Sequence, residues 1–188
     1  MGQRLSKIVT TTGDDGTTGL ADGSRRKKND IRIHCLGEVD ELNAVIGICS
    51  SLIESQNIQI ILLQIQHDLF DLGAELCQPL KNLISSEHVE QIHQQAELLN
   101  QNLPALTEFI LPAGSIELSN LHLARTVCRR VERGLVTLNE SEKVNPYSLM
   151  YLNRLSDLLF ILTRYLARES GIEEVYWQSR YSRIKTEK

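Results

Sequence analysis

Apolar residues recur at intervals of three and four along most of this 188-residue chain, and this spacing limits the folds that the chain can adopt. After Ile58 they form one stripe of an amphipathic helix, consisting of Ile61, Leu62, Ile65, Leu69, Leu72 and Leu76. Pro79 ends this run because proline cannot continue a helix. Aromatic residues make up only 5% of the chain, so aliphatic helix faces must supply the core.

Four further segments show the same helical spacing, and we predict helices over residues 38–53, 86–103, 115–138 and 146–169. Ser115 and Asn145 are the expected N-caps of the last two helices, with Pro146 in the first turn of the final one. Gly171 suits the C-terminal end of that helix. Five helices joined by short connections predict an all-α protein, a five-helix up-and-down bundle.

The length of the chain fits a single domain over residues 1–188, in which a loop (1–30) precedes the bundle (31–170) and a tail (171–188) follows it. No apolar run approaches the roughly 18 residues of a membrane-spanning helix, and residues 1–7 do not form a secretory signal. The net charge of −4 argues against a general nucleic-acid binder. We therefore expect a cytoplasmic protein that binds neither nucleic acid nor membrane.

Residues 10–30 depart from the helical pattern, because glycines lie there among threonine, aspartate and serine and a basic run follows. The glycines are Gly13, Gly16, Gly19 and Gly23, and the basic residues are Arg25, Arg26, Lys27 and Lys28. Such a loop can direct backbone N–H groups at a phosphate. It is not a Walker A loop, since Thr18 stands where the lysine is required. A phosphate-binding loop and a solvated hairpin with a charged end both fit this pattern.

Two charged residues of the fourth helix, Arg125 and Glu132, fall within its apolar arc when residues are placed at 100° steps. Arg129 lies at the edge of the arc, whereas Arg130 and Arg133 point away from it. An arginine on an apolar face needs an anionic partner. This partner is either a ligand or a carboxylate in a packing salt bridge, inside the bundle or at a subunit interface.

The fifth helix is apolar almost all round, yet Asn153, Asp157 and Arg164 share one narrow stripe. We expect this stripe to line an intersubunit seam or a ligand cleft. Both interpretations imply an oligomer.

Five motifs, in this order along the chain, together resemble one family, the PduO-type ATP:cob(I)alamin adenosyltransferases. They are T-x-x-G-D-D-G-x-T from Thr10, G-E-V-D-E-L-N from Gly37, F-I-L-P from Phe109, R-T-V-C-R-R-V-E-R from Arg125 and Y-L-N-R-L-S-D from Tyr151. The resemblance implies a five-helix bundle that assembles as a homotrimer with active sites between subunits. It also implies the substrates ATP and cob(I)alamin, Mg²⁺ on the ATP phosphates, and the products adenosylcobalamin and triphosphate.

The resemblance further implies the residues of the site. ATP would be bound by Thr10, Thr11, Thr12, Gly13, Thr18, Gly19, Lys28, Arg129, Arg130, Glu132, Arg133 and Asn153. The catalytic group would be Phe109, Asp40, Arg125 and Asp157. Within this group, Asp40 and Arg125 would form an ion pair across the interface, which Asp157 supports. Phe109 would press on the lower face of the corrin and displace its axial base.

Two departures from the family pattern stand in the loops. Thr11 replaces the usual lysine or arginine, so either ATP binds more weakly or Lys7, Arg26 or Lys27 compensates. Ala113 replaces a usual glycine. The resemblance leaves room for an electron-donating reductase as a partner. The alternative function is a non-catalytic bundle that senses ATP or delivers cobalamin, and a third is a purely structural helical oligomer.

Overall fold

The computed structural model describes residues 9–79 and 81–180, and within these it contains five α-helices and one two-stranded hairpin. The elements are β1 (Thr17–Gly19), β2 (Arg25–Lys27), α1 (Ile31–Leu52), α2 (Gln56–Cys77), α3 (Ser86–Asn100), α4 (Ile116–Asn139) and α5 (Pro146–Glu169). The predicted all-α bundle of five helices is confirmed. No helix of the described segments is long and apolar enough to cross a membrane.

The core lies around α1, α4 and α5, each of which contacts two other helices. α1 packs on α2 and α4, while α5 packs on α3 and α4. Aliphatic side chains from α1, α2, α4 and α5 are fully buried there, including Leu42, Ile46, Leu62, Ile65, Leu69, Leu121, Leu135, Leu155 and Leu159. Each buried leucine or isoleucine stabilises the fold by about 1.5–3 kcal/mol relative to an exposed one. This core fixes the faces on which the polar residues of α4 and α5 stand.

α1 begins at Ile31, earlier than the predicted start at Glu38. Its N-cap is Asp30, whose side chain accepts a hydrogen bond from the backbone N–H of Arg32 at 2.9 Å. Arg32 is buried and pairs with Glu142 at 3.0 Å. The apolar pattern missed this turn because a charged residue occupies its core position. α3 ends at Asn100, short of the predicted residue 103.

The predicted ends of α5 are confirmed. Asn145 accepts a hydrogen bond from the backbone N–H of Tyr147 at 3.1 Å, and Pro146 stands in the first turn. Beyond the helix Gly171 has a φ of 65°, the left-handed conformation that favours glycine. Ser115 is the N-cap residue of α4, as predicted, but its hydroxyl makes no capping bond.

The glycine-rich segment forms a short antiparallel hairpin, β1–β2, in which Thr18 stands opposite Arg26. The backbone N–H of Ala21 donates to the carbonyl of Cys77 at 3.1 Å, which ties the hairpin to the end of α2. Arg26 pairs with Asp30 at 3.2 Å and with Glu142 at 3.0 Å. The hairpin is therefore fixed to the end of the bundle at which α1 begins.

Candidate functional site

An open pocket of about 370 Å³ lies on the glycine-rich loop. It is lined by Val9, Thr10, Thr11, Thr12, Gly13, Asp14, Thr18, Gly19 and Lys28. The structure thus brings together all seven loop residues that the sequence analysis assigned to ATP. Nucleotide binding by these residues stays a prediction.

Gly13 is needed where Lys28 folds across the loop. A Cβ atom on Gly13 would lie 3.0 Å from the carbonyl oxygen of Thr17 and 3.3 Å from the Lys28 Nζ, so a side chain would crowd both. Thr11 has a φ of 58°, an uncommon conformation for a β-branched residue. Strained backbone of this kind is frequent in ligand-binding loops.

The chemistry of the pocket suits an anion. Threonine hydroxyls and backbone groups line it, and Lys28 makes no ion pair with any residue of the described segments. Asp14 is the carboxylate in the lining. Within residues 9–79 and 81–180, no group of three or more histidine, cysteine, aspartate or glutamate side chains is placed to hold a metal ion.

Arg25 and Asp15 hold the loop in shape, a role that the sequence analysis missed. Arg25 donates to the carbonyl of Thr12 at 2.6 Å and lies 3.6 Å from Asp15. The hydroxyl and the backbone N–H of Thr17 both donate to Asp15, and these hydrogen bonds lower the pKa of its carboxyl group. The spacing of Asp15 and Thr17, an Asx-type turn, was the available signal.

The candidates to compensate for Thr11 differ in their surroundings. Arg26 is engaged by Asp30 and Glu142 inside the chain, whereas Lys27 is exposed and makes no ion pair with another described residue. Lys7 lies outside the described residues. Lys27 therefore keeps an unpaired charge among the described residues, but it does not line the loop pocket.

A second set of polar residues lies on neighbouring faces of α4 and α5. Arg125, Arg129 and Arg133 follow one another at intervals of one helical turn along α4. Glu132 accepts a hydrogen bond from the side-chain amide of Asn153 on α5 at 3.0 Å. Arg129 and Arg133 are exposed, and neither pairs with a carboxylate of the described residues. We call this set, Arg125, Arg129, Glu132, Arg133 and Asn153, the arginine face.

Arg125 is the member of the arginine face with the clearest need for an outside partner. Its Nε atom is buried and has no hydrogen-bond partner in the described part of the chain, while its guanidinium lies 5.9 Å from the centre of the Phe160 ring. Burial, and then the charge of Arg129, lower the pKa of Arg125. A buried donor without an acceptor destabilises a protein by roughly 1–3 kcal/mol. The packing salt bridge between Arg125 and Glu132 inside the bundle is not formed.

Asp40, the expected partner of Arg125, is exposed on α1 and forms no ion pair with the described residues of its own chain. It lines an apolar groove of about 820 Å³ between α1 and α2. Leu36, Val39 and Phe70 also line this groove, and the Phe70 side chain is 70% exposed. Asp40 is therefore exposed and Arg125 half-buried, and neither has an oppositely charged partner among the described residues.

Two other predicted residues have partners within the chain. Arg130 pairs with Glu41 and lies 3.7 Å from Glu38, so its guanidinium faces α1 rather than the arginine face. Asp157 accepts a hydrogen bond from Arg154 at 3.0 Å on the exposed side of α5. Neither contact brings these residues to the loop pocket of the same chain.

Arg164, which the sequence analysis placed in a seam or a cleft, lines a small pocket of about 190 Å³, but its partners come from its own chain. Arg164 is buried, pairs with Glu174 at 2.7 Å and donates to the carbonyl of Pro104 at 2.8 Å. The segment that follows α5 folds back over this part of the helix. Helical spacing alone could not reveal that a later segment covers the stripe.

His122 is a residue of this region that the sequence analysis missed. It is buried, its ring lies 6.4 Å from that of Phe160, and its Nδ1 atom has no hydrogen-bond partner within residues 9–79 and 81–180. Burial and the charge of Arg125 lower the pKa of His122 and so favour the neutral imidazole. Its place three residues before Arg125, on the same side of α4, was the available signal.

Residues 8–166 match the family model described as cobalamin adenosyltransferase. The chain belongs to the cobalamin adenosyltransferase family. This membership confirms the resemblance that the five motifs indicated.

Individual cobalamin adenosyltransferases cover nearly the whole chain. The protein of that name from Cupriavidus metallidurans is 51% identical, and the match covers 95% of this chain and 97% of that protein. The corrinoid adenosyltransferase of Bacillus subtilis is 38% identical, with 92% of each chain covered.

Solved structures of this family share the fold. A phenylalanine-to-alanine variant of the PduO-type ATP:corrinoid adenosyltransferase from Lactobacillus reuteri, complexed with cobalamin and ATP, has a TM-score of 0.86 and 36% identity. That match covers 92% of this chain and 100% of the other. An arginine-to-lysine variant of the L. reuteri enzyme, complexed with ATP, has a TM-score of 0.85.

Proposed function

We propose that this chain transfers the 5′-deoxyadenosyl group of ATP to the cobalt of cob(I)alamin, giving adenosylcobalamin and triphosphate. Membership of the cobalamin adenosyltransferase family over residues 8–166 is the observation that carries this proposal. The loop pocket and the arginine face supply the charges that such a reaction needs.

We also propose that the active unit is a homotrimer in which each site lies between two subunits. Asp40 on α1 of one subunit would neutralise Arg125 on α4 of its neighbour, and the buried Nε of Arg125 supports this pairing. The apolar groove beside Asp40, with the exposed ring of Phe70, offers surface that a second copy would cover. The proposal further includes a cytoplasmic location and an electron-donating reductase.

In this trimer the loop pocket of one subunit meets the arginine face of the next around ATP. Thr10, Thr12, Thr18 and the ammonium of Lys28 hold the triphosphate on one side. The neighbour's arginines then approach from the other side and make charge-assisted hydrogen bonds. Thr11, Gly13 and Gly19 complete the loop.

The remaining predicted residues support this arrangement. Glu132 and Asn153 are already joined to each other and present their free acceptor and donor groups to the nucleotide. Arg130, which pairs with Glu41, would fix α4 against α1 beside the site. Asp157 adds a carboxylate on the adjacent turn of α5.

The pocket fits an ATP–Mg²⁺ complex, since its lining contains one carboxylate, Asp14, among hydroxyls and backbone groups. Mg²⁺ is commonly held by substrate phosphates with one or two carboxylates. When bound, Mg²⁺ neutralises part of the triphosphate charge. Lys28 of one subunit and Arg129 of its neighbour supply further positive charge around the triphosphate.

The reaction requires positioning and charge stabilisation rather than a protein nucleophile. Co(I) attacks the 5′ carbon of ATP in line and supplies both electrons of the new Co–C bond. The C5′–O bond breaks and triphosphate leaves with that electron pair. Its growing negative charge is stabilised by Lys28, the arginines and the loop N–H groups. Cobalamin supplies the reactive cobalt, while the protein orients the two substrates and stabilises the charge that develops.

Phe109 is the group that would act on the corrin. Its side chain is 76% exposed, so the ring is available to press on the lower face of the macrocycle. Displacing the axial base removes the ligand that raises the energy of the accepting cobalt orbital. Cob(II)alamin bound in this way is easier to reduce to cob(I)alamin.

The test is an adenosylation assay with the purified protein, MgATP and chemically reduced cobalamin. The proposal predicts a light-sensitive Co–C product and an equal amount of triphosphate. ATP binding without either product would instead favour a non-catalytic sensor or delivery protein. Absence of binding to both substrates would favour a structural oligomer.

Phe109→Ala tests the axial-base role. We expect turnover that starts from cob(II)alamin to fall sharply, and turnover from pre-formed cob(I)alamin to be largely kept, because only the first depends on displacing the base. Leu98→Ala, at another exposed apolar position, is the control. An equal loss from both starting states would remove this role from Phe109.

A further inference from the structure

We infer that the segment after α5 positions Phe109, with Trp177 as the positioning side chain and the ion pair between Arg164 and Glu174 as its anchor. This inference rests on the role of Phe109 in the proposed function. It gives a positioning role to residues 172–177, which lie beyond the residues that match the family model.

A glycine turn sends this segment back along α5. The N–H of Gly171 donates to the carbonyl of Arg168 at 3.1 Å, and the N–H of Ile172 donates to that of Ala167 at 2.8 Å. These two bonds form a Schellman motif, which the positive φ of Gly171 permits. Ile172 packs against the core, so the chain leaves the turn in a defined direction.

The returning segment then pairs with the loop that carries Phe109. The N–H of Leu111 donates to the carbonyl of Val175 at 2.8 Å, and the N–H of Trp177 donates to the carbonyl of Phe109 at 2.7 Å. Ile110 and Tyr176 form an antiparallel bridge between these bonds. The loop between α3 and α4 has no helix of its own, so these bonds determine where the backbone of Phe109 lies.

The same pairing brings two aromatic rings together. Neighbouring residues of extended chain point to opposite faces, which puts Phe109 and Trp177 on one face and Ile110 and Tyr176 on the other. The rings of Phe109 and Trp177 meet edge to face, with centres 6.4 Å apart and planes at 65°. Trp177 therefore limits the angles that the exposed ring of Phe109 can adopt.

The anchor of the segment is a buried charge pair. The side chains of Arg164 and Glu174 are only 7% and 17% exposed, and their closest atoms lie 2.7 Å apart. Arg164 also donates to the carbonyl of Pro104 at 2.8 Å. One guanidinium on α5 thus holds both the start of the Phe109 loop and the segment that pairs with it.

This arrangement predicts a specific loss when Trp177 is removed. A freely turning Phe109 displaces the axial base less often, so less cob(II)alamin becomes four-coordinate. Attack by cob(I)alamin that has already formed does not depend on this displacement. Trp177 acts through Phe109, and ATP binding does not involve it.

The experiment compares Trp177→Ala with Tyr176→Ala and Trp177→Phe in the full chain. Each protein is saturated with MgATP, and the four-coordinate fraction of bound cob(II)alamin is measured by its absorption spectrum. Turnover is then measured separately from cob(II)alamin and from pre-formed cob(I)alamin. For Trp177→Ala we expect the first rate to fall about 2- to 10-fold, the range of an edge-to-face aromatic pair, with the second rate unchanged.

The control Tyr176→Ala removes a ring from the opposite face and should leave both rates unchanged, while Trp177→Phe should restore most of the loss. Glu174→Gln, which weakens the anchor, should reproduce the pattern of Trp177→Ala. Equal losses from both starting states, or an unchanged four-coordinate fraction in Trp177→Ala, would overturn the inference. If the wild type forms no adenosylcobalamin from cob(I)alamin, the proposed function itself fails.

Discussion

Two polar regions of the bundle differ in where their partners come from. Around Glu75 all partners lie within the chain: one carboxylate oxygen accepts from the backbone N–H groups of Leu83 and Ile84 and from Asn145, and the other accepts from Ser148. On the arginine face, neither the buried Nε of Arg125 nor the guanidinium of Arg129 has a carboxylate partner among the described residues.

This difference indicates which polar region stabilises the fold and which one binds substrate. Buried polar groups in folded proteins are almost always satisfied, so the Glu75 cluster behaves as part of the core, joining the α2–α3 connection to the start of α5. The exposed guanidinium of Arg129, in contrast, can bind an anion from outside the chain. We therefore expect changes at Glu75 to lower stability and changes on the arginine face to lower substrate binding.

The largest expected effect is that of Glu75→Ala. It leaves the buried donors of Ile84, Asn145 and Ser148 without their acceptor, and we expect the free energy of unfolding to fall by about 3–5 kcal/mol. Denaturant unfolding followed by circular dichroism measures this change. Asp71→Ala, an exposed carboxylate on the same helix, should change the stability by less than about 0.5 kcal/mol. A loss at Glu75 no larger than that at Asp71 would contradict the distinction.

Arg129→Ala, in contrast to Glu75→Ala, should weaken ATP binding and leave the stability of the fold almost unchanged. We expect the free energy of ATP binding to weaken by about 1.5–3 kcal/mol, the range of a charge-assisted hydrogen bond, with little change in unfolding. Isothermal titration calorimetry with MgATP measures the affinity. Lys81→Ala removes an exposed positive charge beside the Glu75 cluster and should leave the affinity unchanged. An unaltered affinity in Arg129→Ala would make this arginine a purely structural residue.

The smallest expected effect concerns Asp30, which joins the hairpin to α1. The N–H of Arg32, and then the hydrogen bond from Arg26, hold the pKa of the Asp30 carboxyl below its usual value. A carboxyl group with a lowered folded-state pKa stabilises the protein above its unfolded pKa. That stabilisation is lost as the pH falls through the folded value.

Asp30→Asn keeps a capping side chain but cannot titrate. At pH 7 we expect it to be less stable than the wild type by about 0.5–1 kcal/mol, since it loses the charge beside Arg26. The difference should shrink below about pH 4, as the wild-type carboxyl group becomes protonated. Thermal unfolding from pH 7 to pH 3 measures it, and a difference that stays constant over this range would contradict the assignment.

Much of the fold was predictable because it depends on local pattern. Apolar spacing gave the helices, and Asn145, Pro146 and Gly171 marked the ends of α5 correctly. The first turns of α1 escaped prediction because Arg32 fills a core position, satisfied by Glu142 from a distant part of the chain. Contacts between residues so far apart leave no periodic signal in the sequence.

The site was predictable only in part. The loop residues lie together because they are close in sequence, and Gly13 had a local reason to be glycine. The partner of Arg164 was not predictable, because the segment that carries Glu174 returns over α5. The proposed pairing of Asp40 with Arg125 needs a second copy, which a pattern within one chain cannot show except through resemblance to a family.

The central claim is that each site combines the loop of one subunit with the arginine face of another. Mixing two inactive variants tests it most directly: Lys28→Glu in the loop and Arg129→Glu on the face, unfolded together, refolded and assayed with MgATP and cob(I)alamin. In mixed trimers an intact site forms from the loop of an Arg129→Glu chain and the face of a Lys28→Glu chain. We predict activity approaching about a quarter of the wild-type level for random assembly. A mixture that assembles but stays as inactive as either variant alone would contradict the account.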